Sequence, residues 1–303
     1  MNEKILIDAG PSRRGWHRIE SFLRCPQLYA LRYRSHSLKR DGQASMPLMR
    51  GSIGHVGLAH HFARLREAQR KGNPNLYYTP REAMEIAAPR LGPLAVSLLP
   101  VAQITVAEYL SGHADEGFKI LEVERAYETV LRDMRPPRHP SVADPETGGR
   151  RVEFTMRPDL IIEDQSRRKW VLDHKFVTYT RRSTSTRYTN SGQFLALRML
   201  GQTLFGREFG GVNANVLQAA PNCRFVRYPI DPAPGLQARF ATLVLDAEER
   251  IAQLEDEDRD VLEWPATASE QTCMTAYGAC PAFEICRWGE GVVEFPDVWE
   301  EVA

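Results

Sequence analysis

The sequence lacks the features that would place the chain in a membrane or give it one overall charge. No continuous apolar run approaches the roughly 20 residues of a membrane helix, and the first residues do not combine a basic segment with a long apolar stretch. The 39 basic residues are balanced by 39 acidic residues. We therefore expect a cytoplasmic protein without a membrane partner, and any nucleic-acid-binding surface must be local.

Cysteine is scarce, and one nucleotide-binding motif is absent. In a reducing compartment the five cysteines are expected to be metal ligands or buried thiols rather than disulfides. The chain has no Gly-x-x-x-x-Gly-Lys-Ser/Thr stretch, so processive unwinding of DNA would need a separate ATP-driven partner. The 43% of hydrophobic residues is sufficient for a globular core.

The central pattern lies between residues 151 and 175. Apolar and polar side chains alternate over 151–157, which predicts a half-buried strand that leads into Asp159. Residues 164–166 have turn chemistry, and a second apolar run over 170–172 ends on Asp173, His174 and Lys175. We therefore predict a hairpin, formed by the strand over 151–157 and the strand over 170–175, that carries both aspartates.

Strand geometry then predicts how these side chains are arranged. Because side chains alternate across a strand, Asp173 and Lys175 share one face, whereas His174 points away. Two carboxylates and one ammonium at the end of a sheet would hold a divalent cation beside a cationic donor. Metal-assisted hydrolysis of phosphodiesters requires such an arrangement. The alternative is an ordinary solvated pair on the surface of a strand.

Three segments outside this pattern also carry expectations. Residues 50–70 predict a helix that is opened by Ser52 and directs His55 inward, either as a core residue or as a metal ligand. Residues 72–117 predict a helical insertion, because prolines punctuate short helical patterns there. Residues 118–131 predict one strand, on which Glu124 is expected to be exposed, with a role behind the site as the alternative.

The remaining candidate residues are cysteines. Cys273, Cys280 and Cys286 lie close together in a stretch with little regular pattern, which favours a metal-ligand loop over core thiols. Three cysteines need a fourth ligand, and Cys25 is the natural candidate. Four cysteines suit zinc as well as iron, so both metals stay open. Cys223 lies on a predicted strand and is expected to be structural.

Together these residues resemble a known family. Pro158 and Asp159, followed by Asp173, His174 and Lys175 after a strand, are similar to the signature of the PD-(D/E)XK nuclease superfamily. Within it, the chain resembles RecB-like and AddB-like iron-sulfur nucleases, including CRISPR-associated and phage relatives. The motifs that carry this closer resemblance are Cys25-Pro26, Gly51 and Gly54 before His55, Gln193, and the cysteines near the end of the chain.

The resemblance implies a fold and a domain plan. The expected class is α/β, a restriction-endonuclease-like mixed central sheet flanked by helices, with an iron-sulfur cluster joining the N-terminal and C-terminal regions. One nuclease domain would span residues 1–303. Its parts would be the N-terminal helices (16–70), the helical insertion (72–117), the nuclease core (118–256) and the cysteine cluster (264–288).

The resemblance also implies an activity. It is that of a metal-dependent DNA nuclease, with exonuclease action expected first, in DNA processing, recombination or repair. Its substrate would be single-stranded DNA or DNA with a free end, and a separate helicase or recombination protein would be a partner. The alternative is a non-catalytic DNA-binding or assembly subunit with a structural iron-sulfur or zinc centre.

The family assigns roles to individual residues. His55, Asp159, Asp173 and the backbone carbonyl of His174 would bind Mg²⁺ or Mn²⁺. Lys175 and Gln193 would complete the catalytic set with the two aspartates. Cys25, Cys273, Cys280 and Cys286 would hold a 4Fe-4S cluster.

Overall fold

The computed structural model describes residues 14–35, 46–113, 117–180, 183–267, 269–275 and 278–288. Backbone contacts divide these residues into two compact units. The first unit contains residues 46–130 and 153–240, and the second contains residues 14–35, 131–152 and 241–288. The predicted division of the chain into functional segments stays a prediction.

Helices make up much of both units. In chain order they are α1 (Trp16–Arg24), α2 (Pro26–Tyr29), α3 (Met46–Gln69), α4 (Pro80–Leu91), α5 (Pro93–Gly112), α6 (Thr184–Thr189), α7 (Gly192–Phe205), α8 (Pro234–Asp256), α9 (Glu270–Cys273) and α10 (Phe283–Trp288). The break between α1 and α2 falls at Cys25, because Pro26 cannot continue the hydrogen-bond ladder of a preceding helix.

The strands form one large sheet and two small ones. They are β1 (Lys119–Val123), β2 (Tyr127–Asp133), β3 (Arg150–Met156), β4 (Leu160–Glu163), β5 (Lys169–Val177), β6 (Phe209–Gln218), β7 (Arg224–Ile230), β8 (Met274–Thr275) and β9 (Gly278–Ala279). The large sheet has the order β1-β4-β5-β6-β7, with β5 and β6 parallel and the other neighbours antiparallel. This confirms the predicted mixed sheet of an α/β fold.

Helices cover both faces of the large sheet. On one face, Leu58, Phe62 and Val106 of the packed helices α3 and α5 join Leu160 and Leu172 of the sheet in one buried cluster. On the other face, Phe194 and Leu197 of α7 pack on the alternate strand residues, among them Ile161, Val171 and Val216. Because successive residues of β4 and β5 contribute to opposite clusters, both strands are buried on both sides.

Helix α5 is the one helix in the described ranges that is long and apolar enough, by length and composition alone, to cross a membrane. No apolar segment of this length was expected from the sequence. In the structure Ala95, Ala102, Val106 and Tyr109 of this helix are buried in the core, whereas Val96 and Ile104 are exposed. A helix that is buried in a protein core can have the same length and apolar composition as one that crosses a membrane.

Two expectations about the strands were wrong. The strand over 150–156 pairs with β2, so the partner of β5 in the hairpin is the short strand β4, which begins directly after Asp159. The stretch 118–131 is two strands rather than one, because Glu124 adopts a left-handed conformation with φ 49° and ends β1. Alternation within each segment could not reveal which strands pair, since pairing depends on distant residues.

One helix boundary was also wrong. Helix α3 already includes Met46 and continues through Ser52, whose hydroxyl donates to the Leu48 carbonyl within the helix. Ser52 therefore does not cap the helix. A serine in a helix interior uses the preceding turn as its acceptor when no free N-terminal amide is available.

Candidate active site

The hairpin β4–β5 sets the position of the predicted acids. Asp164 organises the turn, because its Oδ1 accepts hydrogen bonds from the backbone amides of Ser166 and Arg168 at 2.8 and 2.9 Å. Leu160 pairs with Leu172, so β5 continues five residues beyond the start of β4. From residue 173 onward, β4 therefore does not pair with β5.

Asp159 lies at the edge of β5 that β4 leaves unpaired. The amide of His174 donates to Asp159 Oδ2 at 2.5 Å, which replaces the ladder bond that a longer β4 would have made. In a strand, the amide and carbonyl of one residue point to the same edge. The His174 carbonyl therefore faces the side on which the Asp159 carboxylate lies.

Asp173 and Lys175 share one face of β5, as predicted, and both contact Gln193 of α7. Lys175 Nζ lies 2.7 Å from Asp173 Oδ2 and donates to Gln193 Oε1 at 2.8 Å. Gln193 Nε2 in turn donates to Asp173 Oδ1 at 2.8 Å. The amide of Gln193 thus contacts both charged groups, and only one orientation of that amide gives each group a complementary partner.

The His174 side chain lies on the opposite face, also as predicted. Its Nδ1 accepts a hydrogen bond from Asn215 Nδ2 at 2.8 Å, and the same amide donates to Tyr109 Oη at 2.7 Å. The imidazole stacks on Phe62 with ring centroids 5.6 Å apart. Tyr109 belongs to the helical insertion, which therefore supports the strand behind the site.

Helix α3 brings His55 to Asp159. His55 Nδ1 lies 3.4 Å from Asp159 Oδ2. The close approach of α3 to β5 depends on Gly54, where an added Cβ would lie 2.2 Å from the Phe176 ring. Gly54 thus has a packing role, because it lets the helix backbone lie against an aromatic side chain of the central strand.

Glu124, which was expected to be exposed or to lie behind the site, is instead one of the potential ligands. Its side chain is only 18% exposed, and one ligand atom each from His55, Glu124 and Asp159 lie within 4.8 Å of one another. Among the described residues this is the one such group of three or more potential ligands, so neither Asp173 nor the cysteines form one. The sequence feature that could have indicated this role is an acidic residue at the point where the alternation of apolar and polar residues is interrupted.

Burial and repulsion make the site unfavourable for negative charge. Burial, assisted by the Asp173 carboxylate, raises the pKa of Asp159 to about 6, although His55, Lys175 and the His174 amide oppose this shift. Burial alone would lower the pKa of Lys175, but Asp173 and Asp159 outweigh burial and raise it. Burial lowers the pKa of His174 well below its usual value. Lys175 therefore stays charged, and His174 stays neutral.

The donor set suits a divalent cation. Two carboxylates and one imidazole converge, and burial with repulsion from Asp173 raises the pKa of one of these carboxyl groups, that of Asp159. Carboxylate oxygens suit Mg²⁺ and Mn²⁺, and the imidazole nitrogen is a better ligand for Mn²⁺. His55, Glu124 and Asp159 could therefore hold the cation, with Asp173 and the His174 carbonyl on neighbouring positions.

The four predicted cysteines lie in the second unit. Cys25 is buried with Leu28, Leu31, Ala282 and Ile285, and Cys280 packs against the same cluster. The Cys280 amide donates to the Cys273 carbonyl at 2.7 Å, and the Cys25 and Cys273 sulfurs both contact the Thr267 backbone at 3.5 Å. Burial, together with the Cys25, Cys280 and Cys273 thiols, raises the pKa of Cys286 to about 11. Cys223 lies outside this set, in the first unit.

Comparisons with known proteins identify one family. The family model described as "PD-(D/E)XK nuclease superfamily" matches residues 16–287. No curated protein matches the chain. Among solved structures, the one described as "Crystal structure of SSO0001" is 16% identical and covers 64% of this chain and 73% of its own, with a TM-score of 0.31.

Proposed function

Since the chain belongs to the PD-(D/E)XK nuclease superfamily, we propose that it is a metal-dependent deoxyribonuclease that acts on single-stranded DNA or on DNA with a free end. The observation that carries this proposal is the geometry of the first unit. Potential metal ligands from α3, from the end of β1 and from the start of β4 converge beside an ammonium held by Asp173 and Gln193.

Each residue has a distinct proposed role. His55, Glu124, Asp159 and Asp173, with the His174 carbonyl, would hold Mg²⁺ or Mn²⁺, which when bound would activate water and offset the charge that develops on the phosphate. Lys175 donates hydrogen bonds to the attacking water and to the phosphate oxygens. Gln193 orients Lys175, and the His174 amide fixes the carboxylate of Asp159.

A cleavage assay tests the proposal. Purified protein is incubated with end-labelled linear and circular single-stranded DNA in the presence of Mg²⁺, Mn²⁺ or a chelator. We expect metal-dependent cleavage that Lys175→Ala reduces by about 10³-fold or more. Lys169→Ala is the matched control, because Lys169 lies on the same strand and pairs with Glu208 and Glu163.

The outcomes separate the alternatives. Resistance of circular DNA would support the expected exonuclease, whereas its cleavage would indicate an endonuclease. A wild-type protein that binds DNA but cleaves none of the substrates with either metal would support the non-catalytic subunit instead. Full activity of Lys175→Ala would show that the assigned lysine is wrong.

The second unit supports a separate proposal, a 4Fe-4S cluster on Cys25, Cys273, Cys280 and Cys286. The Cys25, Cys280 and Cys273 thiols contribute to the raised pKa of Cys286, although no three of these four described sulfurs lie within 4.8 Å of one another. Four cysteines suit zinc as well as iron, and the iron-sulfur cluster is proposed first because the order of the cysteine motifs resembles that of the iron-sulfur nucleases.

Metal analysis of protein purified without oxygen tests this assignment. We expect a brown protein with iron and sulfide, and loss of both in each of the four Cys→Ser variants, with reduced thermal stability because metal binding is coupled to folding. Cys223→Ser should keep its iron. A colourless protein with stoichiometric zinc would replace the cluster by a zinc site. A cytoplasmic location and a helicase or recombination partner accompany these proposals.

A further inference from the structure

Arg50 is a buried arginine without a counter-ion. It is 8% exposed, and its Nη2 donates to Thr178 Oγ1 at 3.1 Å. Its Nε is buried without a hydrogen-bond partner, and no carboxylate in the described part of the chain pairs with it. A buried guanidinium that lacks an anion destabilises the folded protein. Such a group is retained where an anion binds it during function.

The position of Arg50 relates it to the candidate active site. Arg50 lies five residues before His55 on α3, which is about 7.5 Å along the helix axis. Its partner Thr178 lies three residues after Lys175, which is about 10 Å along an extended strand. At the 3.4 Å rise of a stacked strand, 10 Å corresponds to about three nucleotides. The separation of Arg50 from the candidate ligands along α3 and β5 is therefore one that two to three nucleotides of a bound strand would span.

An exposed aromatic side chain follows Thr178. Tyr179 is 68% exposed. The backbone next to it is fixed, because both the amide and the hydroxyl of Thr180 donate to Gln218 Oε1, at 2.8 and 3.0 Å. Gln218 is held in turn by its bond to the Asn222 carbonyl. An exposed ring on a fixed backbone is suited to stacking on an unpaired base.

We propose that Arg50 and Tyr179 form a binding subsite for single-stranded DNA beside the active site. The guanidinium of Arg50 binds a phosphate of the substrate strand, and the ring of Tyr179 stacks on a neighbouring base. Sequence selectivity is not expected, because every base has a face that can stack. The subsite rests on the proposed nuclease function and specifies the form of DNA that the site takes.

The first test measures binding and stability together. Binding of a fluorescent thymidine 20-mer is followed in chelator, to prevent cleavage, over a range of salt concentrations. Arg50→Met should weaken binding about ten-fold and reduce the slope of log affinity against log salt by about 0.7, the value for one single-strand phosphate contact. The same variant should melt at a higher temperature than the wild type, because it removes an uncompensated buried charge.

Arg90→Met is the matched control, since Arg90 is an exposed arginine on α4 of the same unit. It should change affinity less than two-fold and leave the melting temperature unchanged. An Arg50→Met protein that binds DNA like Arg90→Met overturns the subsite. So does one that melts earlier without losing affinity, because Arg50 would then be a structural residue.

The second test concerns Tyr179. Tyr179→Ala should weaken binding of single-stranded DNA about ten-fold, and Tyr179→Phe should retain it, because stacking requires only the ring. Abasic nucleotides in the substrate should erase the difference between these two variants. An equal loss of affinity for blunt duplex DNA would contradict stacking on an unpaired base.

The failures can be told apart. If the wild-type protein neither binds nor cleaves DNA, the proposed function is wrong and the subsite falls with it. If the wild-type protein cleaves DNA while the Arg50 and Tyr179 variants behave as the wild type does, the nuclease proposal stands and the subsite alone is refuted.

Discussion

Asp133 and Asp159 are both largely buried aspartates, yet their pKa values are shifted in opposite directions. Their side chains are 18% and 11% exposed. The Arg150 guanidinium holds the pKa of Asp133 at about 2, whereas burial raises the pKa of Asp159 to about 6. Burial alone therefore does not decide the charge state of a carboxyl group. The charge state depends also on whether a cationic group, such as a guanidinium, lies beside the carboxyl group.

The two surroundings explain the difference. Arg150 is nearly inaccessible and contacts Asp133, Asp246 and Glu249 with N–O distances of 2.5 to 3.2 Å. Within the described ranges no arginine pairs with Asp159, whose charged form is favoured by His55 and disfavoured by repulsion from Asp173. In the first cluster, the protein's own arginine compensates the negative charge of the carboxylates. In the second, a bound cation would be needed for this compensation, which is typical of a functional site.

The largest expected effect is on catalysis. Asp159→Asn should reduce DNA cleavage by about 10³-fold or more, because it removes a charged ligand. In chelator the same variant should be at least as stable as the wild type, since it also removes an unfavourable buried charge. End-labelled DNA and thermal melting measure the two effects. A substantially destabilised Asp159→Asn would indicate that Asp159 is a structural residue.

Replacement of the arginine in the completed cluster should affect stability instead. Arg150→Met leaves Asp133 with the half-exposed Arg135 as its remaining cationic partner and Glu249 with the amide of Arg138, and we expect a loss of about 3–5 kcal/mol in unfolding free energy. Urea denaturation provides the measurement. Arg81→Met is the control, because Arg81 pairs with Glu85 on the surface, where an ion pair contributes about 1 kcal/mol or less. Equal losses in both variants would contradict the comparison.

Added metal should distinguish the two aspartates directly. At 100 times its dissociation constant, Mn²⁺ should stabilise the wild type by about 2.7 kcal/mol. Asp133→Asn should keep this increment, measured as the shift of the unfolding transition on addition of Mn²⁺, and Asp159→Asn should lose it. Retention of the increment by Asp159→Asn would place the metal elsewhere.

The pH dependence of stability should reflect Asp133. Its folded pKa lies below its unfolded value of 3.8, so its contribution is present above pH 3.8 and is lost as the pH falls toward about 2. Unfolding free energies measured between pH 2 and pH 5 should therefore decline less steeply in Asp133→Asn than in the wild type. Identical slopes would show that Arg150 does not stabilise the charged form.

The smallest effect is expected for the replacement of Glu124. Glu124→Gln should weaken Mn²⁺ binding about ten-fold, since an amide oxygen replaces a carboxylate while the other ligands remain. Calorimetric titration with Mn²⁺ measures this change. Glu128→Gln, at an exposed position on β2, should bind as the wild type does. A Glu124→Gln protein with unchanged affinity would return Glu124 to a structural role through its contact with Arg157.

Several features followed from local sequence. The turn at Asp164, the opposite directions of Asp173 and His174 on β5, and the break between α1 and α2 at Pro26 all depend on side-chain alternation or on the chemistry of a few adjacent residues. The helix that carries His55 was likewise indicated by its own periodicity. Such signals act within about ten residues, so the sequence alone contains them.

Other features depended on contacts between distant residues. Glu124 joins His55 and Asp159 only because β1 pairs with β4 and ends in a left-handed residue. Tertiary packing likewise decides that Asp133 pairs with Arg150. It also decides that Arg50 is buried without an acidic partner among the described residues. Residue types and local periodicity specify the elements, but the charge balance of a site depends on which elements meet, and that is set by the tertiary structure.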